Sequence, residues 1–146
     1  MITGVWRKSC ARSVDVMHLG EMQPERDHAL KSAISYPVAY RGKNGRDARA
    51  GGFFEFTMKV SDKPLTLRAT YWGEERKRLF YISVDGTRIA SETLGFDKAG
   101  EFIDRDYSIP AELLKGKTTV TVRFEPESGS TAGPVFGCLI FRSNLN

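Results

Sequence analysis

The segment TYWGEERKR, residues 70–78, sets an aromatic pair and a glycine against a dense run of charge. Trp72 can offer an apolar ring face, while Glu74 and Arg78 offer an acceptor and donors. That combination suits a sugar, whose C–H groups meet an aromatic ring and whose hydroxyls meet carboxylate and guanidinium groups. The alternative reading is structural. Trp72 then caps a core, and Glu74 to Arg78 form a solvated turn between two strands.

Other segments carry weaker signals. GKNGRDARAGG, residues 42–52, is glycine-rich but lacks the Gly-Lys-Ser/Thr ending and following helix of a phosphate loop. It reads as a bent loop in which Arg46, Asp47 and Arg49 form a lattice of salt bridges or hydrogen bonds. Gly51 and Gly52 there let the backbone enter the next strand at close approach. His18 and His28 stand ten residues apart, a spacing that matches no metal motif. His28 follows Asp27, so it pairs with that carboxylate to fix a loop, or else contacts a ligand. FDKAGEFIDRD, residues 96–106, carries Asp97, Glu101, Asp104 and Asp106. Two carboxylates work on a glycosidic bond only when a fold holds them about 5–9.5 Å apart, which spacing alone does not decide. An extended strand puts Asp104 and Asp106 on one face and Arg105 on the other. The EF-hand pattern is absent, so no cofactor is expected, although loop oxygens leave a structural calcium open. No activated nucleophile or acid–base pair is recognisable, and the chain reads as non-enzymatic.

The elements that must position these groups are strands. Period-2 alternation recurs in FFEFTMKV (53–60), LTLRATYW (65–72), LFYISV (79–84) and TTVTVRF (118–124). In the second of these Tyr71 joins the inward set and Trp72 takes the opposite parity. Residues 135–142 are apolar on both faces and read as a central strand. One buried and one wet face per strand is the mark of antiparallel sheets. Ser61 to Pro64 makes one turn, and Asp85-Gly86 is the favoured chemistry of a tight hairpin. IPAELLKGK (109–117) holds the one helical candidate, a short turn near 110–115, with Pro110 opening it and Gly116 closing it. Residues 20–52 are expected to form loops around a short strand near 33–40. The fold class is therefore all-β: an antiparallel β-sandwich or jelly roll of galactose-binding-like type. Residues 1–13 and 143–146 read as tails and 14–142 as a single domain.

Composition narrows the partners. The 146 residues suffice for one well-cored domain. The net charge of +4 comes from 22 basic and 18 acidic residues spread along the chain, too diluted for a phosphate-tracking stripe. No run approaches the roughly 18 apolar residues of a membrane span. MITGVWRKSC lacks the apolar core of a signal peptide. Nucleic acid and membrane are thus not expected partners. Of the two cysteines, Cys138 sits in an apolar run and reads as a core residue, while Cys10 lies in a polar stretch. A bridge between them stays open.

Five blocks carry a resemblance: LGEMQPERDHAL, GRDARAGGFFEFTMKV, LRATYWGEERKRLFYISVDGTRIASETL, DYSIPAELLKGKTTVTVRFEP and AGPVFGCLIFR. Together they resemble the C-terminal β-sandwich of bacterial β-L-arabinofuranosidase-like glycoside hydrolases, family 127 and relatives, abundant in gut Bacteroidetes. The resemblance spans roughly residues 14–142. It implies that chemistry resides in a separate (α/α)6 barrel, where metal-dependent members hold zinc at cysteines beside a glutamate. Neither that barrel nor that cysteine cluster is in this sequence. The resemblance therefore implies a non-catalytic accessory domain of a glycan-degrading hydrolase. Such a domain either binds plant-derived oligosaccharide or packs structurally against the barrel, and it acts in the periplasm or outside the cell as part of a larger secreted protein. In the binding reading the candidate contacts are Trp72, Glu74, Arg78, Arg46, Arg49 and His28.

Overall fold

A computed structural model describes residues 13–143. The elements among them are β1 (Ser13–Met17), α1 (Met22–Asp27), β2 (Lys31–Tyr40), β3 (Lys43–Lys59), β4 (Leu65–Trp72), β5 (Arg78–Val84), β6 (Thr87–Leu94), β7 (Phe102–Ile109), β8 (Thr119–Pro126) and β9 (Ala132–Arg142). Every strand pairing is antiparallel. Hydrogen bonding runs in the order β6-β5-β8-β3-β9-β4-β7, with β1 added to β9 and β2 to β3. The result is the antiparallel jelly-roll sandwich that the alternation predicts.

β3 joins the two layers. Its second half pairs with β8 from Phe54 to Lys59, and its first half pairs with β9 at Arg46 and Ala48. Between these halves, residues 49–52 stand opposite Ile34 of β2, where the register shifts. Such an insertion bends a strand and lets it change sheets. Gly52 sits at that corner, where a Cβ would lie 2.3 Å from the Ala33 carbonyl oxygen. The close approach expected of this glycine is therefore real. The expected loop around it is corrected: residues 42–52 are mostly strand. β2 is largely exposed and pairs along its whole length with β3, whose first half is rich in glycine and charge and shows no apolar alternation to read. Arg41 and Gly42, both at positive φ (50° and 81°), make the two-residue turn between them. The predicted turn at Asp85-Gly86 has the same form, with φ 49° and 84°.

The inward sets interleave. Phe54, Phe56 and Met58 of β3 meet Val120, Val122 and Phe124 of β8, all 2% exposed or less. Phe54 stacks on Phe124 at 5.2 Å. Tyr71 of β4 packs edge-on against Phe80 of β5 at 5.6 Å, across the two layers. Burying a side chain of this size stabilises the fold by roughly 1.5–3 kcal/mol. The helical turn expected near 110–115 reduces to one 3-10 turn at Ala111–Leu113, because the stretch between Pro110 and Gly116 is too short to repay helix nucleation.

Candidate functional site

The outer face of β7, β4, β9 and β1 carries the most chemistry. The register sets Trp72 beside Phe102, Thr70 beside Asp104 and Arg68 beside Asp106, all on one face. On the other side of β4, Thr70 pairs with Gly137 but Tyr71 pairs with Val135. This bulge inserts Phe136 as an extra residue. Its ring lies 5.0 Å from that of Phe102, on the outer face, instead of following strand alternation inward. Trp72 packs edge-on against Phe102 at 4.9 Å, and Tyr40 touches both Trp72 (6.2 Å) and Phe136 (5.3 Å). Four rings thus lock one another. Gly45 makes room for them, since a Cβ there would sit 2.7 Å from both the Phe136 ring and the Val135 carbonyl oxygen.

Beside this cluster lies a concavity of about 470 Å³. Phe102 and Phe136 form its apolar wall; Thr70, Asp104, Lys43 and His18 supply polar groups; Gly137 and Cys138 lie between. The Thr70 hydroxyl donates to Asp104 Oδ1 at 2.6 Å and aims that carboxylate. Lys43 Nζ stands 5.3 Å over the Phe102 ring. One step down the sheet, Arg68 donates to Asp106 through Nε (2.7 Å) and Nη2 (2.9 Å), and that bond pushes the guanidinium pKa up further. Burial drives the Cys138 thiol pKa well above its ordinary value, so it is held as an inert thiol. Among the described residues, no three His, Cys, Asp or Glu side chains form a group able to hold a metal ion. Ring faces, one carboxylate, one ammonium and a hydroxyl in a shallow cleft are the equipment of a binding site.

From inside the sandwich, a polar chain fixes the two strands that present this face. Tyr107 of β7 donates its hydroxyl proton to Glu92 Oε1 at 2.5 Å, so the Tyr71 hydroxyl must donate to Tyr107 at 2.8 Å. Arg105 approaches the other Glu92 oxygen at 3.8 Å. Burial raises the pKa of both phenols, and the bond to Glu92 raises that of Tyr107 further.

Residues 10–140 match the family of unknown function DUF6805. The chain belongs to that family. No curated protein matches the DUF6805 chain in sequence. Among solved structures it is similar to a family 35 carbohydrate-binding module from Clostridium thermocellum, with 14% identity and a TM-score of 0.59 over 78% of this chain and 92% of that one. A family 35 module from an environmental isolate gives 11% identity and a TM-score of 0.60, over 88% and 93%. The module CBM6cm-2 of Cellvibrio mixtus lichenase 5A, in complex with cellotriose, gives 6% and 0.59, over 90% and 99%. At these identities the likeness establishes only the fold of the DUF6805 chain: a jelly roll.

The residues singled out from the DUF6805 sequence scatter. Trp72 does occupy the rim with outward parity, but it braces Phe102 and does not itself line the concavity; Arg41 stands over its ring at 5.2 Å. Glu74 ties down the loop before β7 by accepting from the Gly100 N–H at 2.5 Å. Arg78 pairs with Glu75 at 3.0 Å; Glu75 is 8% exposed, which corrects the picture of a wholly solvated turn. Arg46 makes a bidentate pair with Glu25 (2.9 and 3.0 Å), tying β3 to α1. Arg49 pairs with Asp47 at 2.9 Å and lies over the Tyr36 ring. The charged lattice expected of this stretch exists, with Glu25 as an unforeseen member. His28 is corrected. Its partner is Asp15, with Nε2 3.1 Å from Oδ1, while Asp27 accepts from Gln23. Cys138 is the buried core thiol expected of it, and Cys10 lies outside the described residues. Phe102, Phe136, Lys43 and Thr70 were missed as a set. The parity of Trp72 pointed toward this face, but the bulge at Phe136 left no signal.

Proposed function

We propose that this chain is a non-catalytic, carbohydrate-binding accessory domain of a glycan-degrading hydrolase. Its site is the concavity walled by Phe102 and Phe136. The carrying observation is that concavity's chemistry. Two ring surfaces take the C–H face of a sugar, while Asp104, Lys43, Thr70 and His18 take its hydroxyls. The cellotriose held by the Cellvibrio mixtus module supports sugar binding on this fold. The sequence resemblance to β-L-arabinofuranosidase-like hydrolases supports an arabinose-containing plant oligosaccharide as ligand. It also supports a separate (α/α)6 barrel as the catalytic partner, and a periplasmic or extracellular setting. A second reading, a domain that packs on that barrel without binding sugar, draws on Ile34 and Tyr36, which stand 50% and 49% exposed on β2.

An array of plant cell-wall oligosaccharides probed with the full chain tests the proposal. It expects hits on neutral oligosaccharides and no sugar release during incubation. A blank array favours the packing reading, and turnover by highly purified chain rejects the non-catalytic one.

A further inference from the structure

A second concavity, of about 450 Å³, lies where β1, α1, β3 and β8 meet, lined by Asp15, Asp27, His28, Thr57, Lys59 and Thr119. No Phe, Tyr or Trp is among them, and the one imidazole is held by its own hydrogen bonds. Some of these groups hold the site in shape. Asp15 Oδ1 accepts from the Val16 N–H at 2.8 Å and faces His28 Nε2 at 3.1 Å, and Oδ2 accepts from the Lys59 N–H at 2.9 Å. His28 Nδ1 lies 2.8 Å from the Pro24 carbonyl oxygen and must donate to it. The His28 carbonyl in turn accepts from the Thr57 N–H at 2.7 Å. The imidazole is thus fixed at both nitrogens, and the Asp15 carboxylate is used on both oxygens.

The remaining groups are unspent. Lys59 and Thr119 stand directly opposite each other on the β3–β8 ladder, and Thr57 follows on the same face. Among the described residues, the Thr57 and Thr119 hydroxyls and the Lys59 ammonium have no side-chain hydrogen bond or ion pair within the protein. Asp27 receives one bond, from Gln23 Nε2 at 2.8 Å, and keeps acceptor capacity on its carboxylate. Of these unspent groups, one carboxylate and one ammonium cancel in charge, while Asp15 is already turned to His28 and to two backbone N–H groups, so what is left favours neither an anion nor a cation. Each hydroxyl of a sugar both donates and accepts. Adjacent sugar hydroxyls therefore satisfy an acceptor and a donor side by side.

We infer that this corner is a second binding site for a neutral polyhydroxylated ligand, gripped by its hydroxyl edge between Asp27, Thr57, Lys59 and Thr119. The site uses none of the residues of the aromatic concavity and does not depend on that concavity binding sugar. A few hydrogen bonds exchanged with water, without ring burial, place its affinity in the millimolar range, roughly 1–10 mM.

Two-dimensional amide NMR of the full chain, titrated with xylotriose, arabinotriose and cellotriose in turn, tests this. Saturable shifts are expected at the amides of residues 27–28, 57–59 and 119 with at least one of these ligands. They should persist in Phe102→Ala and weaken at least tenfold in the double variant Lys59→Met/Thr119→Val. Both substitutions fall on exposed strand positions and retain strand-compatible shapes, so the spectrum should otherwise match wild type. The inference is overturned if no ligand produces saturable shifts at those amides, or if the double variant binds as wild type does. Tighter binding of sodium glucuronate than of the neutral sugars would overturn the assignment to a neutral ligand.

Discussion

Replacing Tyr107 by Phe should destabilise the fold out of proportion to the single oxygen removed. In the native chain that hydroxyl donates to Glu92 and accepts from Tyr71, whose side chain is fully buried. The variant loses a bond to a charged acceptor and leaves the Tyr71 hydroxyl without its partner. A charge-assisted bond contributes about 1.5–3 kcal/mol and an orphaned buried hydroxyl costs about 1–3 kcal/mol; because both count the same Tyr107 hydroxyl they do not add in full, and a net loss of about 2–4 kcal/mol is expected. At about 2–4 °C per kcal/mol for a domain near this size, Tm should fall by roughly 5–15 °C. Urea unfolding, with Tyr71→Phe and the double variant completing a cycle, is the assay. The double variant should be less destabilised than the sum of the singles, because it removes the orphan along with its partner. A Tyr107→Phe loss within about 0.5 kcal/mol of zero, the level of an ordinary surface change, would refute the reasoning.

Three further outcomes follow from the same structure. Glu25→Ala should cost about 3 kcal/mol in denaturant unfolding, because it strands the largely buried Arg46 guanidinium, and Glu25→Gln should cost less. Gly45→Ala should cost about 1–3 kcal/mol and displace Phe136, because the Val135 carbonyl at 2.7 Å cannot yield as a flexible side chain does; its thermal melt and any ligand affinity should fall together. Stability should also fall in alkali. The Tyr71 and Tyr107 phenols are held above the ordinary value of 10.0, first by burial and then by Tyr107 in the case of Tyr71 and by Glu92 in the case of Tyr107. Their contribution is complete below about pH 10 and declines above it, as the unfolded chain releases protons that the folded chain keeps. Unfolding followed across that range should show the decline, and Tyr107→Phe should make it shallower.

The strands that were legible are those that bury one face. Phe54, Phe56 and Met58, or Leu65, Leu67 and Tyr71, alternate because the core demands it. β2 was legible in part, as a short strand near 33–40, while the first half of β3 was not, since a stretch rich in glycine and charge shows no apolar alternation. α1 has no buried residue and hence no apolar period to detect. The site was half legible for a similar reason. The outward parity of Trp72 follows from strand geometry, and so does the shared face of Asp104 and Asp106. That Phe102 lies beside Trp72 depends on a pairing between strands thirty residues apart in sequence. That Phe136 turns outward depends on a bulge inside a run that is apolar on both faces. Asp15 reaches His28 only because β1 and α1 fold together, so its neighbour Asp27 was the nearer but wrong partner.

The most direct test of the central claim is calorimetric titration of the full chain with the best oligosaccharide from the array, beside Phe102→Ala. Phe102 is half-buried at the rim, so its loss should leave the fold intact while removing a ring surface from the site. The expected result is saturable binding by wild type and at least about tenfold weaker binding by the variant, the scale of one aromatic contact. Equal binding by both proteins would contradict the account, since the sugar would then sit elsewhere than on the Phe102–Phe136 wall.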